Sequence, residues 1–222
     1  MIADNLRNVT ERMARASERS GRPESAVKLV CVTKEADVED IQTAILAGVT
    51  DIGENRVQDA VSKYKAIGDR AVWHLIGHLQ TNKARDAVRI FSLIHSVDSV
   101  RAAEAIDKEA SKIGKVQSVL LQVNVSGEAT KFGLRPEDVD GILEECGLYP
   151  NIDIEGFMTI APEAGGADSA RRYFRQLRQL RDRMNETRGA GYRALSMGMT
   201  NDFEAAIEEG STIVRIGRAI FA

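Results

Sequence analysis

A lysine closes the strand-like run in LVCVTKEA, residues 29–36. Most lysines at such a position simply reach solvent. A partly desolvated amine at a strand tip can instead condense with a carbonyl carbon to form a Schiff base. Lys34 is therefore the first candidate for chemistry. Two glycine-containing turns late in the chain are the second. SMGMTND, residues 196–202, combines small residues, hydroxyls and a helix start at Asn201-Asp202. Backbone N–H groups at a helix start, with a nearby hydroxyl, can cradle a phosphate dianion. RIGRA, residues 215–219, brings a glycine whose backbone can approach a ligand closely. Both segments read equally as tight strand-to-helix turns that use glycine for geometry.

Arg215 interrupts the otherwise apolar TIVRIG. A guanidinium on an inward face needs a hydrogen-bonded partner or a ligand. On an outward face it needs neither, and alternation along the strand leaves both orientations open. An imine-forming lysine near a phosphate site fits two chemistries, pyridoxal phosphate binding and Schiff-base aldol cleavage. The three histidines carry less weight. His74, within VWHLI, reads as a satisfied core or rim residue. His78 follows Gly77 on a turn, and His95 can face either way. None is assigned as a general base.

Strand-like and helix-like segments must position these groups, and they alternate along the chain. Strands are expected at 28–33, 49–52, 72–76, 92–97, 117–125, 152–160, 193–197 and 212–216. Most are near-continuous apolar runs, as buried parallel strands are. Helical periodicity fills 3–19, 38–47, 54–67, 80–89, 99–113, 136–146, 168–188 and 202–209. Gly48 stops the second of these, and Pro136 suits the first turn of its helix. Eight strands with intervening helices over 222 residues predict an α/β fold, a (β/α)8 TIM barrel of one domain spanning 1–222. An open doubly wound sheet is the alternative. No helix is expected after the last strand, and the N-terminal helix is expected to fill that place in the outer ring. The stretch PEAGGADS, 162–169, reads as a flexible surface loop. In such a barrel the active site lies at the C-terminal strand ends. Lys34, GENR, GHLQ, NVSGE, SMGMT and RIG all fall there.

The 30 basic and 33 acidic residues leave a formal charge of −3, with no general attraction to nucleic acid or anionic membranes. A helix face with Arg171, Arg172, Arg175, Arg178, Arg181 and Arg183 could bind nucleic acid or another anion, but reads first as a solvated face. Cys31 and Cys146 read as reduced, buried residues, and no Cys/His cluster has metal-ligand spacing. No apolar signal core or membrane-length window is present. A cytoplasmic protein is the expectation.

CVTKEA, GENRVQD, WHLIGHLQTNK, VNVSGEATKFG, GFMTIAP, LSMGMTNDFEAAI and TIVRIGRAIF occur in this order along nearly the whole chain. Together they resemble the pyridoxal phosphate homeostasis proteins, where one block alone would be weak. The resemblance implies a barrel like the N-terminal domain of alanine racemase, called fold type III. It implies that Lys34 forms the internal aldimine and that Arg215 faces the pyridine nitrogen. Ser196, Gly198, Thr200 and Gly217 would hold the phosphate, and Asn55, His78 and Met158 would line the ring or rim. Thr200 replaces the family's usual serine and keeps the hydroxyl.

The same resemblance implies a carrier and regulator of pyridoxal 5'-phosphate in vitamin B6 homeostasis, without robust catalysis. Pyridoxal-phosphate-dependent apoenzymes would be its protein partners. Arginine opposite the ring nitrogen disfavours protonation there and weakens the ring as an electron sink. Alanine racemase tolerates that arginine, but adds a tyrosine base from a second domain of a partner subunit. This chain stops soon after Arg215, so no such domain is expected, and a monomer is. A racemase of single-domain type and a Schiff-base aldolase are the enzymatic alternatives.

Overall fold

The structure, a computed structural model, describes residues 1–128, 130–162 and 166–222. Eight parallel strands close into a barrel in chain order. They are β1 Lys28–Val32, β2 Asp51–Glu54, β3 Val72–Leu75, β4 Leu93–Val97, β5 Gln117–Gln122, β6 Ile152–Met158, β7 Ala194–Ser196 and β8 Ile213–Ile216. β1 pairs with β8 from Lys28↔Ile213 to Cys31↔Ile216, which completes the ring. The main helices are α1 Ile2–Arg19, α2 Val38–Leu46, α3 Val57–Ile67, α4 Ala84–Ile90, α5 Val100–Ser111, α6 Val139–Cys146, α7 Gly166–Arg188 and α8 Phe203–Glu208.

Strand alternation divides the apolar residues into two cores. Val30, Leu93, Leu120, Met158, Ala194 and Ile213 meet inside the barrel. Cys31, Ile52, Leu75, Ile94, Val119, Leu121, Phe157, Leu195, Val214 and Ile216 point outward, under the helices. Burial on both faces explains the near-continuous apolar runs. The helices present matching stripes, such as Leu6, Val9, Met13 and Ala16 on α1. Local capping agrees with the boundaries. The Asp37 side chain accepts from the Asp40 N–H at the start of α2 (2.8 Å), and Gly48, at φ 107°, follows its end.

Several expectations need correction. A short helix, α9 Arg218–Phe221, does follow β8. α1 still fills the ring position beside it: Asn5 donates to the Ile220 carbonyl (3.1 Å), and Arg12 pairs with Glu204 of α8 (2.9 Å). β2 lies two residues later than expected, so Gly53 and Glu54 belong to the strand. A charged residue reads as a turn in sequence, but Glu54 is fully buried against Lys63 and Thr33. Residues 166–169 of the expected loop form the first turn of α7, while 163–165 lie outside the described residues. β5 stops at Gln122, because the segment after it turns back and the Leu134 N–H bonds the Gln122 carbonyl (2.8 Å).

Part of the arginine-rich face of α7 is paired within the chain. Arg171 pairs with Glu208 (2.6 Å), Arg175 with Glu209 (2.8 Å) and Arg181 with Asp182 (2.6 Å). Both cysteines are free and buried, and burial pushes the Cys31 thiol up to about 12. Among the described residues no helix is long and apolar enough to cross a membrane, and no group of His, Cys, Asp and Glu could hold a metal ion.

Gly156 marks the register shift between β5 and β6, and a Cβ there would run into the Ala194 carbonyl of β7. Gly156→Ala is expected to cost about 2 kcal/mol through overpacking. Its thermal midpoint should fall by roughly 4–8 °C in a melt followed by circular dichroism.

Candidate functional site

At the C-terminal strand ends, a cavity of about 410 Å³ opens between the segments that follow β1, β2, β3, β6, β7 and β8. Lys34, Asn55, Thr200, Arg215 and Gly217 all line it. A cavity of about 770 Å³ lies at the opposite end, between α1 and the starts of β1 and β2. It gathers none of the predicted site residues.

Lys34 stands on a turn just past β1, and the residue before it holds that turn in place. The Thr33 hydroxyl donates to Glu54 Oε1 (2.6 Å), and the Thr33 carbonyl accepts from Lys63 Nζ (2.6 Å). Lys63 also pairs with Glu54 (2.8 Å), so the buried carboxylate has its counter-ion. The Lys34 side chain itself remains 46% exposed, with its amine 3.5 Å from Glu35. The turn is rigid below and the amine accessible above.

Arg215 faces inward from β8, only 3% exposed. Its Nη1 donates to Ser196 Oγ (2.6 Å) and its Nη2 to the Thr159 carbonyl (3.0 Å). Burial lowers its pKa to about 10, against the opposing pull of Asp202, so it stays cationic at neutral pH. The turn after β7 folds back tightly onto α8. Gly198, at φ 96°, would place a Cβ 2.6 Å from that of Ala206, and Asp202 accepts from the Met199 N–H (2.6 Å). Gly217 lets the end of β8 approach β1; a Cβ there would lie 2.8 Å from the Val32 carbonyl.

Not every predicted residue reaches this cavity. The Ser196 hydroxyl is engaged by Arg215 and by His95 (2.8 Å) inside the barrel. The Gly198 carbonyl accepts from the Arg215 backbone N–H (3.0 Å). Met158 lies in the inner apolar cluster. His78 borders a separate depression, where it contacts Asp98 (3.0 Å) and stacks on Phe132 with ring centroids 4.2 Å apart. Sequence reasoning missed Glu35, Arg218 and Asp202, which line the cavity. Asp202 carried a signal in the helix start of SMGMTND, whereas nothing in the spacing marks Glu35 or Arg218.

A buried polar chain leaves the site downward. His95 Nε2 meets His74 Nδ1 (2.9 Å), and His74 Nε2 meets Asp51 Oδ1 (2.9 Å) at the start of β2. Lys28 (2.9 Å) and Thr50 (2.6 Å) also donate to Asp51. Burial alone would raise the Asp51 carboxyl, but bonds from His74, Thr50 and Lys28 hold it well below the usual range. Burial, then the charges of His74, Arg215 and Lys28, push His95 well below the ordinary imidazole value.

These features fit pyridoxal phosphate. The cavity sets an accessible amine beside a buried guanidinium, and it has a wall built from a hydroxyl and a glycine backbone. Comparison with known proteins agrees. A sequence profile of the family described as alanine racemase, N-terminal domain, matches residues 5–222. The pyridoxal phosphate homeostasis protein of Aquifex aeolicus is 44% identical over 219 residues, covering 98% of this chain and 96% of that protein. The chain belongs to the pyridoxal phosphate homeostasis protein family. A family member from Pseudomonas aeruginosa is 38% identical, covering 99% of this chain and 94% of that one. PipY of Synechococcus elongatus, solved with PLP bound, superposes with a TM-score of 0.86 at 36% identity, with both chains covered completely. Alanine racemase of Clostridium difficile shares the fold at a TM-score of 0.78 and 17% identity, over 98% of this chain and 56% of that one.

Because His95 has a lowered pKa, the unfolded chain binds a proton below about pH 6.5 that the folded chain refuses. The stability this contributes is complete above that pH and falls as the pH drops toward the folded-state value. The loss should reach up to about 1.4 kcal/mol per pH unit. Denaturant unfolding at pH 7.5 and 5.5 is expected to show a steeper loss in wild type than in His95→Gln. Equal slopes would assign the loss to other groups.

Proposed function

We propose that this chain binds pyridoxal 5'-phosphate in the mouth cavity and acts in vitamin B6 homeostasis as a cytoplasmic, monomeric carrier and regulator without robust catalysis. The observation that carries the reading is the convergence of Lys34, Arg215, Thr200 and Gly217 on one cavity. Bound there, the cofactor supplies an aldehyde that bonds covalently to an amine. Lys34 offers that amine on a braced turn, open to solvent. Arg215 offers donors toward the ring nitrogen, and Thr200 with Gly217 offers a hydroxyl and close backbone to the phosphate. Asn55 closes the wall beside Lys34. His78, Met158, Ser196 and Gly198 support these groups from the rim and from below.

Arg215 also weighs against efficient turnover. Still cationic at neutral pH, it disfavours a proton on the facing nitrogen and so weakens the ring as an electron sink. Among the described residues, no histidine, tyrosine or cysteine lines the cavity, and its carboxylates are Glu35, beside the Lys34 amine, and Asp202, which accepts from the Met199 N–H. The buried free cysteines suit a reducing compartment. Apoenzymes that use the cofactor are the partners this role implies.

Purified protein mixed with pyridoxal phosphate is expected to show a visible absorption band that borohydride abolishes and that Lys34→Ala lacks. Wild-type protein that takes up no cofactor would sink the reading. Arg215→Ala should weaken cofactor binding about tenfold, the worth of a charge-assisted hydrogen bond. Unchanged affinity and spectrum would remove Arg215 from the pocket. Loaded protein incubated with each common L-amino acid should yield no sustained D-isomer formation, and multiple turnovers would favour a single-domain racemase.

A further inference from the structure

One arrangement of protons runs unbroken along the chain from Asp51 to Arg215. An ionised carboxylate can only accept, so His74 Nε2 must carry a proton toward Asp51 (2.9 Å). In a neutral ring, His74 Nδ1 then accepts from His95 Nε2 (2.9 Å). His95 Nδ1 in turn accepts the only proton of the Ser196 hydroxyl (2.8 Å). From the other end a guanidinium can only donate, so Ser196 Oγ accepts from Arg215 Nη1 (2.6 Å). Both ends are satisfied by this direction, and whichever tautomer His95 adopts, Ser196 Oγ accepts from Arg215.

The groups facing this chain come from around the barrel. Lys28 of β1 and Thr50 before β2 donate to Asp51, the Thr159 carbonyl after β6 accepts from Arg215, and Asp202 before α8 acts on Arg215 by its charge. His74, His95 and Ser196 are buried, at 2%, 0% and 0% exposure. Asp51, His74 and His95 do not line the mouth cavity, so they touch nothing bound there.

We propose that Asp51, His74 and His95 are positioning residues for the cofactor pocket, fixing through Ser196 the orientation in which the Arg215 fork presents its donors. The role for a ring-bearing ligand rests on the pyridoxal phosphate reading. The fixed fork does not, and it can be tested in the ligand-free protein.

Nitrogen-15 NMR of histidine-labelled, ligand-free protein at pH 7.5 is expected to show His95 neutral and hydrogen-bonded at both ring nitrogens. A charged His95, or a His95 ring nitrogen without a hydrogen bond, would overturn the proposal. The Arg215 Nη signals should be distinct in wild type, merge in His95→Leu, and stay distinct in His95→Gln, which keeps a donor and an acceptor. Ser196→Ala, which deletes a single atom, should also merge them and serves if His95→Leu does not fold. Distinct signals in the folded cut variants would overturn the proposal. With pyridoxal phosphate added, His95→Leu should bind about tenfold more weakly with a shifted visible maximum, and His95→Gln should recover both. Affinity and spectrum unchanged in His95→Leu, with only the thermal midpoint lowered, would reduce the chain to a structural role. Wild type that binds no pyridoxal phosphate would refute the cofactor reading, while the NMR outcomes would still decide the fixed fork.

Discussion

A guanidinium sealed inside a parallel barrel has no water to turn to, so protein or ligand must meet its donors. Arg215 imposes that demand here. Ser196 at the end of β7 and the Thr159 carbonyl after β6 meet two of its N–H groups. Its backbone N–H bonds the Gly198 carbonyl in the turn before α8 (3.0 Å). One side chain thus ties three consecutive strand ends together at the mouth. Ser196 also bonds His95, and through it the contacts run on to His74 and Asp51. A buried polar line thus ends on one permanent cation.

The rest of the mouth is organised by similar local closures. Thr33, Glu54 and Lys63 brace the Lys34 turn, so the amine sits on a fixed base instead of a free loop. Gly217 and Gly198 let β8 approach β1 and the β7 turn approach α8, where a Cβ would collide. Farther out, ion pairs hold α1 and α7 to α8, including Arg12–Glu204 and Arg171–Glu208. Such pairs are worth little individually where exposed. Here they mainly fix how the ring of helices closes.

Much of this was legible in the chain. Apolar runs and helical stripes marked all eight strands and their main helices, because burial on both strand faces leaves a strong pattern. Lys34 and the two glycine turns were legible from residue type at strand ends. Boundaries failed where a partner overrides local character. Glu54 reads as a turn until Lys63 neutralises it, and Gly166 reads as loop until it joins α7. The depth of the pocket was not legible either. Ser196 and Gly198 sit in a phosphate-like turn, yet the Ser196 hydroxyl points to Arg215 and His95.

By itself the sequence determined the alternation of elements, the barrel class and the reactive residue types, because those depend on local periodicity and side-chain chemistry. Only the tertiary structure decided that Arg215 faces inward, since a strand's alternation does not say which face is the interior. It alone joined Asp51 to His74, His74 to His95 and His95 to Ser196, pairs 23, 21 and 101 residues apart in the chain. Hydrogen bonds across strands depend on register and closure, which no local pattern encodes. Closure of β8 onto β1 is what sets the lysine and the arginine on one cavity.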